Sequence, residues 1–227
     1  MKRLVQSELL DSLPTADPAA LRSRLDLHRV NAWMRNPAIM ARALADHWLV
    51  PAPPRITELG AGDGKFLLSA AHQMVPRRTG VAVTLLDRQS LVAPETLSGF
   101  ARLGWNASAI ISDVFNWSPA DGDTVVANLF LHHFEDPQLA ALLGIISRRV
   151  KLFIAVEPRR AAWPLFCSRL LWAIGCNFVT RHDAVVSVRA GFSGLELSSL
   201  WPDRQAWQLT EHSVGAFSHI FIAQKIA

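Results

Sequence analysis

Short apolar runs alternate with longer amphipathic segments from about residue 55 onward. The runs have the length of buried strands, and the segments between them have the length of helices. Strands that alternate with helices form a mostly parallel sheet covered by helices on both faces. The chain is therefore predicted to be an α/β protein, with strand signals at residues 55–59, 81–87, 109–114, 124–128 and 151–158.

Two helices are predicted before this alternation begins. Asp17-Pro18 and Asn36-Pro37 each place a capping residue before a proline, which suits the first position of a helix. We expect residues 1–50 to form a helical cover over an edge or a mouth of the domain that follows, and the prolines of residues 51–54 to form a stiff connector. The predicted buried stripes of the two helices are Leu21, Leu25 and His28, and Ile39, Ala43 and Trp48.

The last third of the chain departs from the regular alternation. Residues 161–176 form a broad apolar segment that predicts a buried or lid helix. The next segment reads as a short helix capped by Asp183 and ended by Gly191. Alternating residues at 207–214 and 218–225 predict a hairpin. We therefore expect a helical cap at about residues 160–192, inserted into a domain of residues 51–227.

Composition excludes several classes of protein. Half of the residues are hydrophobic and 19% are charged, which excludes a disordered chain. Two cysteines, Cys167 and Cys176, provide neither a disulfide framework nor a zinc site, so reduced thiols are expected. The net charge of +4 comes from scattered arginines rather than one basic stripe, so no nucleic-acid partner is predicted.

The apolar segments do not predict export or membrane insertion. Glu8 and Asp11 interrupt the N-terminal region that a secretory signal would need to keep apolar. The segment 161–176 is shorter than the ~20 residues that span a bilayer, and it contains Arg169. A cytoplasmic protein is the expectation, with contact between this segment and a membrane surface as the alternative.

The strongest chemical signal is the glycine turn at Gly60, Gly62 and Gly64, which follows a strand and precedes a helix. Glycines at this position let the backbone approach a ligand closely, and the helix that follows offers free N–H groups. A dinucleotide fingerprint would need its third glycine at position 65, which is Lys65. The turn therefore predicts a ligand site, with a nicotinamide-dependent oxidoreductase as a less favoured alternative.

The sequence Glu58-Leu-Gly-Ala-Gly-Asp-Gly64 resembles the first motif of class I S-adenosylmethionine-dependent methyltransferases. The resemblance extends over about residues 50–160 and includes the stretch 124–134, which is similar to ubiquinone/menaquinone-type methyltransferases. It implies a Rossmann-like seven-stranded sheet with an antiparallel last strand, helices on both faces and a helical cap. It also implies S-adenosylmethionine as the cofactor.

The resemblance assigns roles to residues at four strand ends. Asp87 would hold the ribose hydroxyls, and Asp113 would recognise the adenine amino group, with Val114 and Phe115 beside the ring. Each aspartate has a structural alternative: Asp87 as the cap of a helix near Gln89, and Asp113 as the start of a loop. Glu58 would either support the turn or reach the cofactor's amino group through water. The full predicted set is Glu58, Gly60, Ala61, Gly62, Asp87, Arg88, Asp113, Val114, Asn128 and Leu129.

His132 and His133 follow the fourth strand, at the edge where open α/β sheets bind ligands. Imidazole accepts a proton near neutral pH, so either histidine is a candidate general base for a hydroxyl acceptor. The structural alternative is that one histidine caps a turn and the other packs under the sheet. No metal site is predicted.

The expected acceptor is a small hydrophobic or aromatic molecule of a phenolic, polyketide-like or quinone-like kind. Base methylation of DNA is not expected, because residues 128–131 lack the two prolines of those enzymes. Glu157 and its neighbouring arginines could orient an acidic substrate or pair at the surface. A binding module without turnover is the main alternative function. The predicted acceptor pocket comprises Phe130, Phe134, Trp163, Phe166, Leu170, Trp172 and Phe178.

Overall fold

The computed structural model describes residues 1–48 and 54–226, so the predicted boundary at residues 50 and 51 and most of the proline connector lie outside the described residues. A seven-stranded sheet runs through the molecule in the order β3-β2-β1-β4-β5-β7-β6. The first five strands are parallel, and β7 is antiparallel between β5 and β6. This confirms the predicted fold, with strands β1 (Arg55–Leu59), β2 (Ala82–Asp87), β3 (Asn106–Ile111), β4 (Thr124–Asn128), β5 (Leu152–Pro158), β6 (Trp207–Val214) and β7 (Ser218–Lys225).

Helices cover both faces of the sheet. None of the helices in the described ranges is long and apolar enough to cross a membrane. The helices are α1 (Leu9–Ser12), α2 (Pro18–Met34), α3 (Asn36–His47), α4 (Lys65–Gln73), α5 (Pro94–Arg102), α6 (Asp136–Ser147), α7 (Ala162–Arg169), α8 (Phe178–Ala190) and α9 (Glu196–Leu200). Short 3-10 turns lie at Val114–Asn116, Leu131–His133, Leu171–Ile174 and Arg204–Ala206.

The sheet separates two hydrophobic cores, because successive strand residues point to opposite faces. Val126 and Ile154 belong to the core beneath α3, α4 and α5, while Val125 and Phe153 belong to the core beneath α6 and α9. Burial on both faces explains why the parallel strands read as continuous apolar runs. The buried face of α6 consists of Leu139, Leu142, Leu143 and Ile146.

Of the two caps predicted for α2 and α3, one is confirmed and the other is displaced by one residue. The Asp17 carboxylate accepts a hydrogen bond from the Ala19 N–H at 2.7 Å and begins α2. Arg35, not Asn36, precedes α3. Glu135 caps α6 through a capping box with Gln138. The Asn36 side chain instead accepts a hydrogen bond from Ser218 and donates to Asn31 and Asn128, because it is buried beside those polar partners.

The predicted apolar stripe of α2 is wrong. Leu21 and Leu25 are more than half exposed, whereas Ser23 and Asp26 are buried. Their partners lie at the start of α8: Thr180 Oγ1 donates to Ser23 Oγ at 2.9 Å, and the Asn177 N–H donates to Asp26 at 2.9 Å. A polar face is buried here because α8 satisfies its hydrogen bonds.

The predicted cap of α8 is also wrong, whereas its end is confirmed. Asn177 caps the helix and accepts a hydrogen bond from the Thr180 N–H at 2.8 Å. Asp183 lies inside α8 and accepts hydrogen bonds from the N–H groups of Leu9 and Leu10, so it caps α1 instead. Gly191 ends α8, where a Cβ atom would lie 2.2 Å from the Pro158 carbonyl oxygen.

Candidate functional site

A cavity of about 750 Å³ opens at the carboxyl ends of β1, β2, β3 and β4. This is the edge of an open α/β sheet at which ligands bind. Its walls come from the N-terminal segment, from α2 and from the loops after these four strands. The cavity brings together all the predicted cofactor and catalytic residues: Glu58, Gly60, Ala61, Gly62, Asp87, Arg88, Asp113, Val114, Asn128, Leu129, His132 and His133.

The glycine turn forms the floor of this cavity. Gly60 and Gly62 have φ angles of +63° and +56°, which side chains with a Cβ rarely adopt. A Cβ at Gly60 would lie 2.2 Å from the Phe130 ring, whereas a Cβ at Gly62 would meet no atom of the described chain within 4 Å. Gly60 is therefore required for packing, and Gly62 leaves open space that a ligand can fill.

Asp87 and Asp113 each accept structural hydrogen bonds and also line the cavity. Asp87 accepts hydrogen bonds from the N–H groups of Gly62 and Gln89, each at 2.8 Å. The next helix begins at Pro94, so the alternative in which Asp87 caps a helix near Gln89 is wrong. Asp113 accepts a hydrogen bond from the Phe115 N–H at 2.9 Å and begins a 3-10 turn. Both aspartates lie at the cavity wall, and their contacts with a cofactor stay a prediction.

Glu58 is a buried carboxyl group at the cavity wall. Its Oε2 atom has no hydrogen-bond partner among the described residues. Burial, followed by the negative charges of Asp63 and Asp87, holds its pKa well above the usual range. A buried polar atom without a partner costs free energy. The group is thus available to a ligand in the cavity, which fits the role that the motif implies.

A histidine of α2 holds the cover against the glycine turn. His28 Nε2 lies 2.8 Å from the Asp63 carboxylate, and Lys65 also pairs with Asp63. Burial raises the pKa of Asp63, but its hydrogen bonds to His28 and Lys65 outweigh this effect and lower it to about 2. The Asn31 and Asn36 amides connect the cover to Asn128 at the end of β4.

His132 is buried between two carboxylates. Its Nδ1 lies 2.8 Å from Glu157, and its Nε2 lies 3.3 Å from Glu8. Burial lowers the pKa of His132, but the hydrogen bonds to Glu157 and Glu8 outweigh it and raise the pKa to about 9. His132 is therefore an imidazolium at neutral pH, and its ring has no free nitrogen to accept a proton.

Both predicted roles of Glu157 are wrong. The carboxylate is fully buried, so it neither lies at the surface nor faces the cavity. It accepts hydrogen bonds from the N–H groups of Phe130 and Leu131 as well as from His132. Glu157 thus fixes the loop after β4. Arg160 is buried as well and bonds to Ser193 and Glu196.

His133 has a different environment from its neighbour. The centroid of its ring lies 4.3 Å from that of His132, with the two rings tilted by 32°, and its Nδ1 lies 3.5 Å from the Asp11 carboxylate. Burial and the adjacent positive charge of His132 lower the pKa of His133 below its usual value of 6.5. His133 is neutral at pH 7 and retains one nitrogen that can accept a proton.

The sequence predicted a cover over an edge or a mouth of the domain, but it did not identify the N-terminal residues that line the cavity. Val5, Gln6, Ser7, Glu8, Leu10 and Asp11 all line it. Glu8 contacts His132 and accepts a hydrogen bond from Ser187, and the hydrogen bonds to His132 outweigh burial and lower the pKa of Glu8 to about 2. The only signal was the pair of acids, Glu8 and Asp11, within an otherwise mostly apolar segment.

The predicted cap contributes little to this cavity. Ser187 of α8 lines it, but the apolar residues of the cap do not. Of the residues predicted for the acceptor pocket, Phe130 and Phe134 line the cavity. The other five do not, and their side chains are exposed: Trp163, Phe166, Leu170, Trp172 and Phe178.

Glu8, His132 and His133 also have a spacing that a metal ion could use, since one potential ligand atom from each lies within 4.8 Å of the others. Both ring nitrogens of His132, however, already face carboxylates. Ion pairs with Glu157 and Glu8 therefore already occupy both ring nitrogens of His132. Metal ligation would require His132 to lose a proton that these carboxylates stabilise.

Comparison with known proteins gives a match in structure alone. No protein-family model matches the chain, and no curated protein matches its sequence. The plantazolicin methyltransferase BpumL, solved in complex with SAH, is 13% identical with a TM-score of 0.64, over 93% of this chain and 92% of that one.

Two further structures are similar over nearly the whole of this chain but are longer. The pyocyanin biosynthetic protein PhzM is 15% identical with a TM-score of 0.62, over 97% of this chain and 62% of that one. The mitomycin 7-O-methyltransferase MmcR is 17% identical with a TM-score of 0.58, over 96% of this chain and 61% of that one. The strand order, the glycine turn and these similarities agree that the chain has the Rossmann-like fold of class I S-adenosylmethionine-dependent methyltransferases.

Proposed function

We propose that the protein transfers a methyl group from S-adenosylmethionine to a hydroxyl group of a small hydrophobic or aromatic acceptor. The observation that carries the proposal is the cavity in which the predicted cofactor and catalytic residues meet. Methyltransferases of small molecules among the structural neighbours, such as MmcR, support the same activity.

The cofactor would lie along the ends of β1, β2 and β3. The open space beside Gly62 would accept the part of the cofactor that lies against the backbone. The partly exposed Asp87 carboxylate would accept hydrogen bonds from the two ribose hydroxyls. Asp113 and Val114 would hold the adenine. The unpartnered oxygen of Glu58 would accept a hydrogen bond from the amino group, directly or through water.

The acceptor would lie between the loop after β4 and the N-terminal segment. Phe130 and Phe134 pack edge to face with ring centroids 5.1 Å apart, and both line the cavity. Aromatic side chains bind flat apolar molecules well because they provide a large contact area with a defined ring geometry. Their position beside His133 supports an aromatic acceptor whose hydroxyl faces that histidine.

The two predicted catalytic histidines would have different roles. The cofactor supplies a methyl group activated by its positively charged sulfur, so in-line positioning of the acceptor provides most of the rate enhancement. The Asp11 carboxylate beside Nδ1 of His133 favours a proton on that atom, which leaves Nε2 to accept the hydroxyl proton. His132, already protonated, would hold the loop and the N-terminal segment in place through Glu157 and Glu8.

Two measurements test this function. Purified protein incubated with methyl-labelled S-adenosylmethionine and a panel of small phenols should transfer the label to at least one of them, whereas a binding module would transfer none. Thermal unfolding in the presence of adenosylhomocysteine or of NAD tests the alternative of a nicotinamide-dependent oxidoreductase. Only a ligand that binds the native state raises the midpoint of the unfolding transition. A rise with NAD alone would contradict the proposal.

A further inference from the structure

An exposed apolar face lies on the cap, outside the cavity. Trp163 and Phe166 share one side of α7, and Leu170, the residue that follows the helix, continues their spacing of i, i+3, i+7. Each of the three is between 41% and 58% exposed. The opposite side of α7 is buried at Pro164 and Ser168. Apolar exposure continues after the helix at Trp172, Ile174 and Phe178. We call these six residues the cap face.

The size of these side chains makes the cap face unusual for a protein surface. Single exposed apolar residues are common, but a contiguous group of large ones marks an interaction site. Trp163 stacks on Phe166 with ring centroids 5.9 Å apart, and α7 packs against α8 through its other side. The helix is therefore held in place, and its apolar side has no partner within the described part of the chain.

Positive charge predominates around the cap face. Residues 159–182 contain four arginines and no aspartate or glutamate, although one of the four, Arg160, is buried and paired with Glu196. Arg169 is exposed at the end of α7. Arg22 and Arg29 of α2 donate hydrogen bonds to the carbonyl oxygens of Gly175 and Ile174, at 3.5 Å and 3.3 Å. Their shared partner Asp26 carries a single negative charge, so this trio still adds positive charge to the edge of the face.

We propose that the cap face binds an anionic lipid surface. Tryptophan and phenylalanine favour the boundary between headgroups and acyl chains, and arginines beside them attract acidic headgroups. A symmetric pair of chains would place the same cationic edge against its own copy, which opposes self-association through this face.

The cap face and the cavity share one helix. Phe178 begins α8, and Ser187, nine residues later, lines the cavity and holds Glu8. At the rise of an α-helix the two positions are about 14 Å apart. The protein would thus be held with its cavity close to the lipid surface.

Co-sedimentation with lipid vesicles tests the inference. The full chain should sediment with vesicles of phosphatidylcholine containing about one third phosphatidylglycerol, and not with vesicles of phosphatidylcholine alone. High salt should weaken binding because it screens the headgroup charge. Absence of sedimentation with the anionic vesicles would overturn the proposal.

Variants test whether the cap face is the surface that binds the vesicles. The double variant Trp163→Ala/Trp172→Ala should lower the fraction bound at least about tenfold, since two exposed indoles lose their apolar burial. Arg169→Glu should weaken binding to the anionic vesicles without removing apolar area. The matched control is Trp33→Ala, because Trp33 is equally exposed but packs on Phe217 of the last hairpin.

Circular dichroism would confirm that each variant is folded. Equal binding by the double variant, or equal loss in Trp33→Ala, would contradict the assignment. Sedimentation velocity without lipid provides the remaining arm: a concentration-dependent dimer that the double variant abolishes would mean that a second copy occupies the face, which also overturns the proposal.

Discussion

The carboxyl edge of the sheet and the cap face are built from opposite kinds of side chain. At the edge, small and polar residues such as Gly62 and Asp87 are held by backbone hydrogen bonds around a cavity. On the cap face, large apolar residues such as Trp163 and Phe166 are exposed and contribute nothing to that cavity. The difference teaches that apolar composition near a site does not identify its lining, whereas glycines and acids at strand ends do.

The largest expected effect is on turnover, and it comes from a substitution at the carboxyl edge of the sheet. His133→Ala should lower kcat by about 10²- to 10⁴-fold, because no general base would remain beside the acceptor. Cofactor affinity should change little. The exposed His72 of α4, outside the cavity, provides the matched control variant His72→Ala.

The pH dependence of the rate distinguishes the two adjacent histidines. The pKa of His133 is lowered, so the rate should fall on acidification only below pH 6.5, where that ring gains its proton. His133→Ala should remove this acidic limb. An unchanged limb in both His133→Ala and His132→Gln would mean that neither histidine is the base.

Two phenylalanines, one buried in the core and one on the cap face, test the comparison through the free energy of unfolding. Phe153 of β5 is fully buried beside Trp201 and Phe221, so Phe153→Ala should lower the free energy of unfolding by about 3–5 kcal/mol. Phe166 is 53% exposed on the cap face, and Phe166→Ala should change stability by less than about 0.5 kcal/mol. Urea unfolding of both variants measures the contrast, and comparable losses would show that Phe166 is part of the core.

The ion pairs of His132 are expected to have a somewhat smaller effect on the free energy of unfolding. The pKa of His132 is raised to about 9 in the folded protein, so its stabilisation is complete below pH 6.5 and is lost as the pH rises through 9. The loss is on the order of 3 kcal/mol, the free energy equivalent to the change in pKa.

Urea unfolding at pH 6.5 and pH 9.5 checks this dependence. The difference between the two pH values should be much smaller in His132→Gln, and Glu8→Gln should reduce it in part. An identical pH dependence in wild type and His132→Gln would contradict the ion-paired arrangement.

Sequence patterns predicted the sheet because buried parallel strands leave a local signature, and they predicted the cavity residues because a glycine turn and acids at strand ends follow directly from that sheet. They failed where partners are distant along the chain. The buried face of α2 depends on Thr180 and Asn177, which lie about 150 residues away. The contact between Glu8 and His132 spans 124 residues, and neither residue type alone indicates it.

The central claim is that the carboxyl edge binds an adenosyl cofactor through Asp87. Isothermal titration calorimetry with adenosylhomocysteine tests it on wild type, on Asp87→Ala and on the control Asp121→Ala, a surface change away from the cavity. Asp87→Ala should weaken binding by about 1.5–3 kcal/mol, the contribution of a hydrogen bond to a charged group, while Asp121→Ala retains the wild-type affinity. Unchanged affinity in a folded Asp87→Ala protein, or no binding by wild type, would contradict the account.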